Sequence, residues 1–351
     1  MLNNLITVLW NTLLFIFWNE REQRSRAGWR MAIQMFLFIM TSLFAGGAAF
    51  LLDRKSPSDP VATATTLVLA VLLIWFVGCF LDRRRIKDYG YHLSLGWWKD
   101  FGFGLLLGAV LMSGVFLCEQ MAGWIEVSAP ILQEGGRAWA RVLLPAIGFY
   151  FAVALTEEFV SRGYQLRNLA EGIVGPRVGP RTAIVTAWLI SSCLFGLFHG
   201  FNPNASVVST VNIMAAGLLL GLPYILTGEL AISIGLHLTW NLFQGTVYGF
   251  PVSGDRPTQE LLVLKQGGPV LWTGGKFGPE AGLVGIAAMI AGCLLTLGWV
   301  KFCRRTVAID VAVARYEPRW ATTPAIDTSI ATGPDTPVGT TPGQEAEVFT
   351  G

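Results

Sequence analysis

Apolar residues gather along this chain into runs separated by short polar stretches: 31 to 52, 61 to 81, 101 to 124, 141 to about 169, 183 to 199, 206 to 226, 231 to 250 and 281 to 300. A membrane span needs roughly 20 mainly apolar residues. The pattern therefore predicts an all-α fold, a polytopic transmembrane helix bundle of about eight spans. Residues 1 to 18 are also apolar, but Asn3, Asn4 and Asn11 and the rings of Trp10 and Trp18 predict a helix lying at the interface. They lack the basic n-region and small-residue cleavage pattern of a signal peptide. Gly104 with Gly108, and Gly217 with Gly221, are small residues four apart, which lets helix backbones approach closely in lipid.

Lys and Arg are retained on the cytoplasmic side of membrane proteins. With eight spans, segments 19 to 30, 82 to 100, 162 to 181 and 301 to 305 share one side and hold 16 basic residues, against 7 in segments 53 to 60, 125 to 141 and 251 to 279. Both termini are expected in the cytoplasm, and the setting is a multi-pass protein of a prokaryotic plasma membrane. The chain divides into an interfacial N-terminal helix and basic flank (1–30), N-terminal transmembrane helices (31–139), a core (140–250), an external loop and last transmembrane helix (251–305) and a disordered cytoplasmic tail (306–351). Beyond about residue 320 the tail is Thr, Pro, Gly, Ala and acidic residues, too polar to offset chain entropy by burial. The Gly- and Pro-rich segment 251 to 280 either folds over a cavity or merely joins two helices.

Composition adds little to this picture. Hydrophobic residues make up 53% and charged residues 14% of the chain, and the net charge of +2 is spread over membrane flanks, so no nucleic-acid partner is implied. The partner is the lipid bilayer. Cys79, Cys118, Cys193, Cys293 and Cys303 show no CxxC spacing and read as small hydrophobes.

Ionisable groups inside such runs are expensive and mark function. Glu157 and Glu158 end the run FYFAVALTEE, with Arg162 four residues after Glu158. On a helix Glu158 and Arg162 can pair, while Glu157 is rotated by about 100° and left free. Phe195 lies one turn before His199 near the end of the fifth run, ahead of the turn-prone GFNPN. His237 and Asn241 share a helix face in the seventh. Taken singly, each has a plain structural reading: a charged helix end, a helix-terminal histidine, an interhelical hydrogen-bonded pair. His92, in DYGYHLSLG, has no helix-facing partner in the pattern.

The order EExxxR, FxxxH, HxxxN on successive spans resembles the CPBP superfamily, the CAAX-protease and bacteriocin-processing (Abi) membrane endopeptidases. The motifs are Glu157, Glu158 and Arg162; Phe195 and His199; His237 and Asn241. The resemblance covers about residues 140 to 250, making that core CPBP-like and catalytic. It implies an intramembrane endopeptidase whose substrate is a peptide or membrane-protein segment, with prenylated CAAX proteins as the eukaryotic substrates of the family. Glu157 is the candidate general base for water, since a carboxylate shielded from solvent is a better proton acceptor. His199 holds that water or relays its proton, and His237 and Asn241 donate to the oxyanion. Glu158 with Arg162 supports the helix. Glu157, His199 and His237 are equally a sufficient ligand set for catalytic zinc with water in the fourth position, so metal-assisted and metal-free mechanisms both stand. No HExxH is present.

Other classes fit the same residues. A catalytically silent peptide-binding or bacteriocin-immunity protein would keep the bundle without needing Glu157, and a proton-coupled transporter would use the Glu and His groups directly. A serine protease would rest on Ser233 in AISIG, which lacks the first Gly of GxSxG. At 1.5 Å per residue, His199 lies about 25 Å from the inner end of its helix, Glu157 roughly 18 Å if its helix continues to about residue 170, and His237 about 9 Å. Tilted, broken or short helices must bring them together. The cavity is expected to open to the cytoplasm.

Overall fold

The computed structural model describes residues 12, 16–20, 22–51, 59–128, 136–257 and 259–317. Most of the expected interfacial helix, the loop 52–58 and the tail 318–351 lie outside the described residues, and so does the disorder expected of that tail. The helices are α1 Ala27–Leu51, α2 Pro60–Phe76, α3 Leu95–Met121, α4 Gly136–Glu158, α5 Pro180–His199, α6 Val207–Thr227, α7 Ala231–Leu242 and α8 Leu283–Arg304. Helix α4 runs on through a π segment, Phe159–Leu166, into Arg167–Ile173, so its helix does continue past residue 170. Their ends are set locally. Asp59 accepts from the Val61 and Ala62 amides, Ser94 from Trp97, and Ser206 forms a reciprocal box with Ser209.

Seven helices among the described residues are long and apolar enough to cross a membrane, one fewer than the eight runs predict. The exception is the run 231 to 250. It forms α7 and a π turn, Phe243–Val247, together about 26 Å long at α-helical rise. Every residue of α7 except Asn241 is buried. Its apolarity reflects enclosure by protein, and an enclosed helix need not match the thickness of the bilayer.

Close backbone approach surrounds α7. A Cβ on Gly104 or Gly108 of α3 would collide with the α7 backbone at Ile232 and Leu236, and one on Gly235 with Phe101 and Leu105 of α3. Gly217 of α6 meets Ser192 of α5 in the same way. Leu230, just before α7, is fully buried, its amide donating to Gly90 O (3.1 Å). Helix α7 therefore starts beneath the surface of the bundle, under residues 90 and 310–314.

That end of the bundle holds a buried ionic cluster. Arg24, Arg30 and Arg84 surround Asp82, and Arg24 and Arg84 also reach Glu171, all five side chains being buried. Burial alone would raise the Asp82 carboxyl, but Arg84, Arg24 and Arg30 outweigh it and hold the group below the usual carboxylate range. The Tyr316 ring covers the Arg24 guanidinium at 3.4 Å, and the Asp310 amide donates to Ile225 O (2.8 Å). Residues 306–317 thus pack on the bundle; placing them in a disordered tail overlooked Val313, which is fully buried. At the opposite end an antiparallel ribbon pairs β1 (Ile125–Ser128) with β2 (Val263–Gln266).

Candidate functional site

The π segment begins one residue after Glu158, and an inserted residue of this kind re-aims the side chains around it. Glu158 Oε1 accepts from Arg162 Nη1 (3.0 Å), the pairing expected from the spacing. The same oxygen lies 2.8 Å from His237 Nδ1. Glu158 therefore orients an imidazole 79 residues away as well as neutralising an arginine. Arg162 Nη2 also donates to Gly217 O (3.1 Å), and its guanidinium lies 4.4 Å from the Phe195 ring centroid. The Phe195 carbonyl faces His199 Nδ1 at 2.8 Å.

These partners fix the tautomers. A carbonyl and a carboxylate only accept, so both Nδ1 atoms carry hydrogen and both Nε2 atoms face inward. Each Nε2 lies 3.9 Å from Glu157 Oε2. That oxygen is buried and has no hydrogen-bond partner. With neutral imidazoles, three lone pairs would face one small volume, which calls for a donor or a cation between them. Asn241 lines the same space.

As ligands the three side chains suit zinc in kind, and the Glu158–His237 contact is the outer-shell bond such ligands carry. In spacing they do not fit. Adjacent donors of a tetrahedral zinc with bonds of 2.0–2.1 Å lie about 3.3 Å apart, against 3.9 Å here. Among the described residues, no three His, Cys, Asp or Glu side chains are drawn together as a metal site. A water bridging Glu157 Oε2 to either Nε2 fits the 3.9 Å spacing.

The site opens into a cavity of about 430 Å³ whose wall includes Val252, Ser253, Asp255 and Arg256. The loop after α7 is therefore a wall, and of its two sequence readings the cavity cover is the one observed. This cavity faces the end of the bundle away from the ionic cluster. His199 closes α5 at that end, and the sunken start of α7 carries His237 and Asn241 the same way. Two further grooves, about 250 and 130 Å³, reach Glu157 sideways, past α5 and past α2, with Phe38 of α1 on both.

Ser233 is fully buried and donates to Leu220 O (2.8 Å), away from either histidine, which removes the serine alternative. His92, left without a partner in the sequence, meets Glu229 Oε1 at 2.7 Å. Glu280 was not anticipated at all. It lies 36 residues past Gln244, whose amide donates to it, and it lines a small apolar cavity of about 50 Å³ with His199, His237 and Asn241. Burial pushes its carboxyl up to about 7. No motif pointed there; only the Gly-rich run around it hinted at an unusual turn.

Residues 139–243 match the family model described as type II CAAX prenyl endopeptidase Rce1-like. The uncharacterised protein YyaK of Bacillus subtilis (strain 168) is 24% identical over 246 residues, covering 64% of this chain and 79% of that one. No solved structure matches. The matched stretch holds both glutamates, both histidines and Asn241. Over residues 139–243 this multi-pass membrane protein is therefore similar to the type II CAAX prenyl endopeptidase Rce1-like family.

Proposed function

We propose that this protein is an intramembrane endopeptidase in which Glu157 and His199 hold and activate one water against a peptide carbonyl. The observation that carries the reading is the unpartnered Glu157 Oε2 between two Nε2 atoms at 3.9 Å, at the floor of a cavity large enough for a peptide segment. A water has two hydrogens for three acceptors, so one of the three takes a proton. His237 is the suitable one, because its Nδ1–H already faces the Glu158 carboxylate. Its Nε2–H then becomes a donor.

The step follows from those roles. Glu157 removes a proton as the water oxygen attacks the carbonyl carbon, and the carbonyl π pair moves to oxygen. His237 Nε2–H and the Asn241 amide donate to that oxyanion, in a site where little solvent competes. The intermediate collapses, the C–N bond breaks, and the proton held by Glu157 passes to the leaving nitrogen. His199 keeps the water in line through its free Nε2. No step is routed through a metal, given the spacing above. Purified protein in detergent is expected to cleave membrane-segment peptides with undiminished rate after chelation, and without stoichiometric zinc on metal analysis. Loss of activity on chelation, restored by zinc, would sink the metal-free mechanism.

The substrate is a peptide or membrane-protein segment. The family description makes a prenylated peptide the first candidate to assay, and the grooves beside α1 offer a sideways route from lipid. With the basic end and both termini in the cytoplasm of a prokaryotic cell, the cavity opens outward. In a background lacking Cys118 and Cys193, an Arg256→Cys variant should react with a membrane-impermeant maleimide on intact cells, and Cys303 only after permeabilisation. The reverse pattern would invert the orientation.

A further inference from the structure

The wall of the main cavity ends in a two-residue hairpin turn. Val252 and Asp255 exchange backbone hydrogen bonds (2.8 and 3.0 Å), and Ser253 and Gly254 between them have φ of 48° and 93°. All four backbone polar groups of those two residues are engaged from outside the turn. The Ser253 amide donates to Glu280 Oε1 (2.5 Å), and Ser253 O accepts from Asn202 (2.9 Å). The Gly254 amide donates to Phe277 O (2.7 Å), and Gly254 O accepts from Asn204 (3.1 Å). Gly254 also lies where any Cβ would strike Pro203 O. Such a turn is a fixed roof.

Glu280 is the charged member of that set. It is 3% exposed, and its second oxygen accepts from Gln244, whose Nε2 also donates to Pro251 O (2.6 Å). One carboxylate therefore ties the roof to the end of the helix that carries His237 and Asn241. It stands outside the stretch matched by the family model. Its backbone is curled to allow this: Gly278, at φ 125°, would drive a Cβ into the Glu280 carboxylate and Gln244. A buried carboxylate held by several donors is costly to keep unless the geometry it sets is used.

We propose that Glu280 is a positioning residue: it fixes the Ser253–Gly254 turn as the surface against which the substrate peptide lies, and so sets the fit of substrate over Glu157. This rests on the endopeptidase reading. Because the backbone polar groups of Ser253 and Gly254 are already engaged, the roof offers the peptide a shape and no backbone hydrogen bond. Loosening it should weaken substrate binding and leave the water-activating groups as they are.

The test pairs kinetics with amide exchange on the full-length protein in detergent. In Glu280→Gln, which keeps an acceptor for one of the two donors and sets an amide N–H against the other, peptides covering 251–256 should exchange about tenfold faster or more than in wild type. For a membrane-segment peptide KM should rise about fivefold with kcat within about twofold. The exchange Glu280→Gln with Gln244→Glu restores the acceptor–donor pair between the two positions but loses the bond to Pro251 O, and should recover slow exchange and the wild-type KM in part. Unchanged exchange at 251–256 overturns the proposal; so does faster exchange with KM unmoved, or with the loss falling on kcat alone. Where Glu280→Gln does not fold, Asn204→Gly takes its place with the same readouts, releasing Gly254 O while tolerating the positive φ of residue 204. If wild type cleaves no peptide, the endopeptidase reading fails while the exchange data still decide whether Glu280 fixes the roof.

Discussion

Glu157→Gln is expected to lower kcat for peptide cleavage by about 10²- to 10⁴-fold, the contribution of a positioned general base, while leaving the protein folded and KM within a few-fold. The substitution keeps the volume and removes the one oxygen that faces both Nε2 atoms. Because that oxygen has no hydrogen-bond partner in the protein and the side chain is 25% exposed to the cavity, little packing is disturbed. The measurement is a set of initial rates on one peptide, with thermal unfolding in the same detergent as control. A kcat within threefold of wild type would remove Glu157 from the chemistry and shift weight to a peptide-binding role. Loss of proton-coupled uptake without any cleavage in wild type would favour a transporter instead.

Much of the bundle is legible in the sequence because lipid-facing helices must be apolar along their whole length. Seven of the predicted runs become helices of spanning length. The eighth shows the limit of the signal: α7 is as apolar as its neighbours, but hydropathy does not distinguish a face turned to lipid from one turned to protein. The start of α7 beneath the bundle surface follows from contacts with Gly90 and residue 310, remote in sequence. Nothing local announces it, and without it the depths of His199, Glu157 and His237 do not reconcile. The packing of 306–317 has the same origin, since its anchor is a ring on Arg24.

The site divides along the same line. Contacts inside one helix are readable: Glu158 with Arg162, Phe195 with His199, Glu157 turned away from both. Contacts between helices are not, and they carry half of the arrangement. The Glu158–His237 bond joins residues 79 apart, and the acceptors that set each imidazole tautomer appear only once the helices are assembled. Glu280 and the Ser253–Gly254 roof were out of reach for a different reason. They lie on a loop whose path depends on Asn202, Asn204 and Phe277, and loop composition does not encode tertiary partners.

Glu158→Gln should cost activity by a different route from Glu157→Gln. The carboxylate is fully buried between Arg162 Nη1 at 3.0 Å and His237 Nδ1 at 2.8 Å. Removing its charge leaves the Arg162 guanidinium, 1% exposed, without its ion-pair partner, held by the Gly217 carbonyl and the Phe195 ring with Glu157 as the remaining nearby carboxylate. Breaking one side of a buried pair costs about 3–5 kcal/mol, so the variant should unfold at markedly lower temperature. It also deprives His237 of the anion that favours an Nε2–H donor, and loss of such an orienting partner typically costs about 10- to 100-fold. Combining Glu158→Gln with Arg162→Met separates the two effects. The double variant has no orphaned charge and should regain most of the stability, since neighbours in one network are not additive. Its kcat should stay low, because His237 still lacks the carboxylate. If activity returns together with stability, Glu158 serves the fold alone, and the oxyanion role assigned to His237 must be carried by Asn241 without it.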